Sequence, residues 1–181
     1  PILPLDGKKI FKLNKPLNVI TSSKDTHERQ TVLDLILEKE RLYPIGRLDK
    51  NTTGILLITN DGELAYQLTH PKFKISKIYS AVSMKKFNSI QIKKIKNGIN
   101  IGNNEIGNAD IINQTKYQEF YKITLKLHHG KKREIRRIFK IFKIELISLH
   151  RFSFGGILVG DLQTGKYKKL SSVELKTLKS L

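Results

Sequence analysis

The sequence predicts an α+β fold, because strand-like segments occur in runs broken by single helices and not in strict β-α-β alternation. Apolar and polar residues alternate over 121–127, which is typical of a strand with one face on the core and one in water. Apolar residues recur three and four positions apart within 131–143, which predicts a helix with one buried stripe. The stripe consists of Ile135, Ile138, Phe139 and Phe142.

The N-terminal part predicts two strands and two helices. A strand over 10–17 should end at Pro16, and the apolar run 55–59 predicts a buried strand that the turn 60–62 terminates. A short helix follows over 63–68. A further helix is predicted over 31–37, because Thr31 and Asp34 have capping-box spacing. Its apolar face would consist of Val32, Leu35 and Ile36.

The C-terminal part continues the pattern. A strand is predicted over 77–82, a lysine-rich helix over 88–96 that ends near Gly98, and weaker strands over 99–101 and 109–112. A long strand over 145–154 and a hairpin at Thr164-Gly165 come next. A last helix should begin at Ser171, which has Glu174 at capping-box spacing.

Charge and composition narrow the possible functions. The 181 residues include 34 Lys and Arg against 16 Asp and Glu, and a formal charge of +18 favours a polyanionic partner such as nucleic acid. An anionic membrane surface and a genome-wide lysine bias are the competing explanations. No stretch approaches the roughly 20 apolar residues that span a bilayer, so we expect a soluble protein. The lack of cysteine excludes disulfides and thiolate metal sites.

The segment 46–54 is the first that carries candidate chemistry. It is a polar loop that presents Arg47 and Asp49 just before an apolar strand, and loops held by a rigid strand often carry catalytic groups. An aspartate in such a loop is more often a turn former or a helix cap, so this segment alone does not decide between the two roles.

Two more segments add an aromatic residue and a cluster of cations. Tyr79 lies beside Lys77 on a predicted strand, where its ring could stack on a base or simply fill the core. The segment 130–137 concentrates positive charge at the beginning of a helix, where the macrodipole also favours anions. A solvated basic face is the alternative for this segment.

Together these segments resemble the pseudouridine synthases of the RsuA type, which act on ribosomal RNA. The similarity to the first signature lies in Arg47-Leu48-Asp49, Thr53-Gly54, Asn60-Asp61-Gly62-Glu63-Leu64-Ala65 and Thr69-His70-Pro71. Lys77 and Tyr79 are similar to the tyrosine motif, and Gly130 through Arg137 to the third signature. Further similarity occurs at Asn14-Lys15-Pro16, Leu149-His150-Arg151, Gly155-Gly156 and Gly160-Asp161-Leu162. The resemblance therefore covers almost the whole chain.

The resemblance implies roles for individual residues. Asp49 would be the essential carboxylate, Arg136 its basic partner, and Tyr79 a lining residue of the base pocket. Ile135 would pack near the base, and Glu134 stands where many members carry Gln. RNA contacts are expected from Arg47, Lys77, Lys132, Arg133, Ile135 and Arg137. Whether Asp49 attacks C1′, stabilises positive charge there or takes a proton from the sugar is left open by the sequence.

The resemblance also implies an activity. The chain would isomerise a uridine to pseudouridine in RNA, with ribosomal RNA of the large subunit favoured, and would need no cofactor or metal. We expect a cytoplasmic monomer with one catalytic domain over residues 1–181, in two closely packed lobes, without the S-four type RNA-binding domain that most members carry upstream. The alternative is a non-catalytic RNA-binding or ribosome-assembly factor with the same fold.

Overall fold

The computed structural model describes residues 7–22 and 28–181. The described residues form two compact units. The first contains the described residues up to Ile75 together with Arg151–Leu181, and the second is Ser76–His150. In chain order the elements are β1 Ile10–Lys15, β2 Tyr43–Ile45, β3 Thr53–Thr59, α1 Gly62–Thr69, a 3-10 turn Pro71–Phe73, β4 Lys77–Ser83, α2 Ser89–Asn97, β5 Ile99–Asn100, β6 Ile106–Gly107, β7 Asp110–Tyr117, β8 Phe120–Leu127, α3 Glu134–Ile141, β9 Leu146–Phe154, β10 Ile157–Leu158, β11 Tyr167–Lys169 and α4 Ser172–Lys179.

The first unit is built on an antiparallel arrangement in which β1 lies between β3 and β11, and β2 also pairs with β3. Residues 55–58 of β3 are all fully buried, as the continuous apolar run predicts. Helices α1 and α4 contribute Leu64, Leu68 and Leu178 to the core of this unit. Asp61 caps α1 by accepting hydrogen bonds from the backbone N–H groups of Glu63 and Leu64.

Strand β3 meets the end of β9 at Gly54, where no side chain fits. Gly54 has a φ of +107°, and a Cβ added there would lie 2.1 Å from the carbonyl oxygen of Arg151. Arg151 is 1% exposed and donates from Nε to the carbonyl oxygen of Ile55 at 2.8 Å. Glycine at position 54 therefore allows the close approach that places β9 beside the strand following the Asp49 loop.

The second unit contains the antiparallel order β4-β8-β7. Buried and less buried residues alternate along β4, and Tyr79, Ala81 and Ser83 are its buried positions. In β8 the same alternation buries Ile123, Leu125 and Leu127, as the sequence predicts. Phe87, 1% exposed, joins α2 to α3 because its ring packs edge-on against Phe139 at 4.8 Å and Phe142 at 5.8 Å between centroids.

The predicted fold class is confirmed: strands in runs, with helices between them, make up both units. The strands predicted over 55–59, 77–82 and 121–127 are present within one or two residues of their expected ends. The helices α2 and α4 begin with the capping boxes of Asn88 with Gln91 and Ser171 with Glu174. In the described part of the chain no helix is long and apolar enough to span a membrane.

The helix predicted over 31–37 is wrong. Thr31 instead forms a parallel bridge with Ile20, and the N–H of Val32 donates to the carbonyl oxygen of Ile20 at 2.9 Å. Asp34 does accept a hydrogen bond from the N–H of Thr31, at 2.7 Å, but only a single turn follows. Pairing of this segment with Ile20 thus takes the place of the helix that the local pattern predicts.

Two element boundaries and one predicted hairpin also differ from the prediction. Helix α3 begins at Glu134 and not at position 131, because Arg133 adopts a left-handed conformation with a φ of 53°. Thr164-Gly165 forms a turn but no hairpin, because β10 pairs with β9 whereas β11 pairs with β1. Strand β7 extends to Tyr117, well beyond the predicted 109–112, because β8 pairs with its whole length.

Candidate active site

The Asp49 loop, residues 46–52, connects β2 to β3 in the first unit. Leu48 and Thr52 are 6% and 2% exposed, so the loop is anchored in the core on both sides of Asp49. The N–H of Thr52 donates to the carbonyl oxygen of Asp49 at 3.0 Å. The Asp49 side chain is half-buried and Arg47 is exposed. The backbone on both sides of Asp49 is thus fixed, and Asp49 itself is partly exposed.

Thr21 fixes the residue before Asp49. Its hydroxyl donates to the carbonyl oxygen of Leu48 at 3.0 Å and accepts from the N–H of Leu48 at 3.2 Å. Thr21 is itself 6% exposed. This reciprocal pair satisfies both backbone groups of Leu48, which a buried loop requires.

Lys15 fixes the residue after Asp49. Its ammonium group is fully buried and donates to the carbonyl oxygens of Pro16 at 2.8 Å, Val19 at 2.7 Å and Lys50 at 3.4 Å. Burial lowers the pKa of Lys15 from its ordinary 10.5 to about 8, although the charge of Asp49 acts to raise it. At neutral pH Lys15 is therefore a buried cation beneath the loop that carries Asp49.

In the second unit, Lys77 and Tyr79 lie on β4. Tyr79 is 9% exposed and pairs in register with Leu125, so its ring belongs to the buried face of the sheet. Lys77 is half-buried and pairs in register with Leu127. The Cε atom of Lys77 would lie 4.0 Å from a Cβ at Gly130. The second and third sequence segments are therefore neighbours in this unit.

Glu134 organises the basic turn before α3. Its carboxylate is 3% exposed, accepts from the N–H of Lys131 at 3.0 Å and of Asn108 at 3.1 Å, and lies 3.8 Å from Nδ1 of His129. These bonds close the turn 131–134 on itself and fix it to the loop before β7. Lys132 and Arg133, in that turn, are exposed.

The remaining residues of the third segment have different environments. Ile135 is 4% exposed, and Arg136 is half-buried. Arg137 donates to the carbonyl oxygens of Ile101 at 2.8 Å, Gly102 at 2.6 Å and Lys132 at 3.2 Å, and to Glu105 at 2.5 Å. These bonds engage its guanidinium inside the protein, which favours a structural role for Arg137.

The sequence analysis assigned no positioning role to Lys15, Thr21 or Glu134, the three side chains that hold the loop and the turn. Lys15 and Glu134 are charged residues inside segments that the resemblance already covers, and a charge at an otherwise buried position was the available signal. Thr21 gives no such signal. Among the described residues, no group of three or more His, Asp or Glu lies close enough together to hold a metal ion.

Comparison with known proteins identifies the family. A family model described as RNA pseudouridylate synthase matches residues 9–140. A ribosomal large subunit pseudouridine synthase B of Bacillus subtilis (strain 168) is 36% identical over 174 residues, which cover 94% of this chain and 71% of the relative. A protein with the same description from Buchnera aphidicola subsp. Schizaphis graminum is 33% identical over 178 residues, which cover 96% and 69%.

A solved structure of a pseudouridylate synthase superimposes with a TM-score of 0.82 at 24% identity, and covers 96% of this chain and 75% of the other. That likeness confirms the fold, and the sequence matches establish the relationship. The chain therefore belongs to the RNA pseudouridine synthase family, in its RsuA-type branch, and is an isomerase that acts on RNA.

Proposed function

We propose that this enzyme converts a specific uridine of large-subunit ribosomal RNA to pseudouridine, with Asp49 as the catalytic carboxylate. The observation that carries the proposal is the Asp49 loop, in which Thr21 fixes Leu48 and Lys15 fixes Lys50 on either side of the partly exposed Asp49. An aspartate that only forms a turn would not require buried side chains that hydrogen-bond to the backbone of both of its neighbours. The descriptions of two relatives as large-subunit enzymes support the choice of RNA.

The reaction needs neither a redox change nor a group donor. The bond between N1 and C1′ breaks, the uracil turns, and a bond forms between C5 and C1′. C5 then loses its proton, and N1 gains one. Asp49 can assist by attacking C1′, by stabilising positive charge at C1′ or by taking a proton from the sugar. The target base must also leave the stack, which costs a few kcal/mol that protein contacts return.

The other site residues divide between the base and the RNA backbone. Tyr79 lines the base pocket, and Ile135 packs near the base. Arg136 is the proposed basic partner of Asp49, and its guanidinium can donate two hydrogen bonds to a carboxylate. Arg47, Lys77, Lys132 and Arg133 bind the backbone, whereas Arg137 supports this surface through its bonds to the loop 101–105.

Pseudouridine mapping of cellular RNA tests the substrate. A strain that lacks this protein should lose one modified position in large-subunit ribosomal RNA, and the wild-type gene should restore it. Restoration should fail with Asp49→Asn but succeed with Asp161→Asn, which removes one exposed negative charge elsewhere in the first unit. Loss of a site in transfer RNA, with the ribosomal sites unchanged, would contradict the proposed substrate.

The enzyme should act as a monomer in the cytoplasm, where ribosomal RNA is accessible. Light scattering at micromolar concentration should give a mass near 20.8 kDa for this chain. A mass of twice that value, independent of dilution, would show a dimer.

A further inference from the structure

A second basic surface lies on the second unit, over α2 and the residues that precede it. The stretch 84–96 contains five lysines and no acidic residue. Four of them, Lys85, Lys86, Lys93 and Lys94, are exposed, and in the described part of the chain none lies within 4.0 Å of a carboxylate. The fifth, Lys96, is 4.0 Å from Asp110. We call the first four residues the α2 lysines.

The helix directs these charges outward. Ile95 is fully buried and fixes the inner face of α2. Lys93 and Lys94 lie three and four positions after Ile90, which is 69% exposed, so all three share the outer face. The macrodipole accounts for lysines in the last turn of a helix, such as Lys94 and Lys96, but not for Lys85, Lys86 and Lys93.

The α2 lysines are carried on a rigid support. Gln114 of β7 accepts from the N–H of Phe87 at 2.8 Å and donates to its carbonyl oxygen at 2.9 Å. The Phe87 ring packs against Phe139 of α3, and the Asn88 capping box fixes the first turn of α2. The backbone that carries the α2 lysines is therefore held in one arrangement, so that little backbone entropy is lost when a polyanion binds.

We propose that the α2 lysines form an auxiliary surface for the phosphate backbone of the substrate RNA, outside the target nucleotide. The proposal rests on the proposed function only in that the RNA is the ribosomal substrate. This surface supplies affinity for RNA without reading its sequence, because lysines that no carboxylate neutralises contact phosphates and not base edges. An anionic membrane is a poorer fit, because Ile90 is the one large apolar residue that α2 exposes and an interfacial helix needs a broad apolar face.

A pair of matched variants tests the proposal. Lys93→Gln/Lys94→Gln removes two exposed charges from α2, and Lys176→Gln/Lys179→Gln removes two exposed charges from α4 of the first unit. Both helices have eight or nine residues, and glutamine keeps the helix propensity of lysine, so circular dichroism should be unchanged. The probe is a transcript of the ribosomal RNA domain that contains the mapped uridine, measured by filter binding from 50 to 200 mM salt.

The expected result is a loss confined to the α2 variant. Because each lost phosphate contact reduces the salt slope by about 0.7–0.9, the change in affinity between 50 and 200 mM salt should shrink by about eightfold for the pair. The single-turnover rate at saturating RNA should stay within about twofold of the unaltered enzyme, since neither lysine takes part in the chemistry.

Three outcomes would overturn the proposal. These are an equal loss in both variants, no loss in either, and an α2 variant that binds phosphatidylglycerol vesicles more weakly while its affinity for RNA is unchanged. The last would identify a membrane surface. Failure of the proposed function has a different signature, because the unaltered enzyme would then form no pseudouridine in the ribosomal transcript.

Discussion

Replacing Gly54 with alanine should destabilise the first unit strongly, for two separable reasons. The new Cβ would lie 2.1 Å from the carbonyl oxygen of Arg151 and 2.8 Å from its carbonyl carbon, where ordinary contact begins at 3.4 Å. The two backbones would have to separate by more than about 1 Å, which a packed core resists. The φ of +107° adds strain for any residue with a Cβ.

The magnitude follows from these two contributions. Positive φ costs a non-glycine residue about 1–2 kcal/mol. Overpacking costs about 1–3 kcal/mol more, and a strained hydrogen bond between the strands about 1 kcal/mol. We therefore expect Gly54→Ala to lower the free energy of unfolding by about 4 kcal/mol, or the melting temperature by about 12 °C for a chain of this length.

Gly160 provides the control that separates strain from collision. It has a φ of +61°, and a Cβ added there would have no atom within 4 Å, so Gly160→Ala should cost about 1 kcal/mol from strain alone. Urea unfolding monitored by far-ultraviolet circular dichroism measures both variants. If Gly54→Ala is no more destabilising than Gly160→Ala, the close approach of Arg151 does not constrain position 54 and the reasoning is refuted.

Further predictions concern the buried charges and the chemistry. Burial lowers the pKa of Lys15 to about 8, so between about pH 8 and 10.5 the unfolded chain binds more protons than the folded one and stability should rise with pH. Urea unfolding measured across this pH range should show the rise, and Lys15→Met should abolish it. The same variant should lower kcat about tenfold and leave KM for RNA nearly unchanged, since Lys15 positions the Asp49 loop and does not contact RNA. Glu134→Gln keeps one acceptor for the N–H groups of Lys131 and Asn108, whereas Glu134→Ala keeps none. In urea unfolding, the free energy of unfolding of the alanine variant should therefore be about 1–3 kcal/mol below that of the glutamine variant. Turnover should survive exhaustive chelation with EDTA, and a loss restored by one metal ion would contradict the metal-free chemistry.

Sequence patterns predicted the elements whose stability is local or strongly periodic. The alternation in β8 and the apolar stripe of α3 both determine which faces are buried, and the burial of Leu125 and Ile138 agrees with them. The capping box of α4 also lies within one turn of the chain. These features depend on neighbours that are close in sequence, which is why the sequence alone was sufficient.

The errors arose where distant residues decide the local structure. Thr31 has a local capping partner, yet pairing with Ile20 prevents a helix. Helix α3 begins at Glu134 because Arg133 is left-handed, and Glu134 accepts a hydrogen bond from the distant Asn108, which no local pattern encodes. Lys15 acquires its role from Val19 and Lys50, which the fold brings together.

For the candidate site, the sequence identified segments better than it separated the individual residues within them. Arg47 and Asp49 lie in a loop before a buried strand, as the polar segment and the following apolar run indicate. Arg137 could not be separated from its basic neighbours by sequence, although its guanidinium contacts Glu105 and three carbonyl groups. The pairing of Asp49 with Arg136 stays a prediction.

The most direct test of the central claim is single-turnover formation of pseudouridine by the Asp49→Asn variant, with RNA binding measured on the same preparation. Asparagine is nearly isosteric with aspartate but cannot act as a carboxylate in any of the three possible roles. We predict no detectable product, and RNA affinity equal to or slightly above that of the unaltered enzyme, because one negative charge is removed from a phosphate-binding surface. The Asp161→Asn control should retain full activity. Product formation at the unaltered rate by Asp49→Asn would contradict the assignment of Asp49 as the catalytic carboxylate.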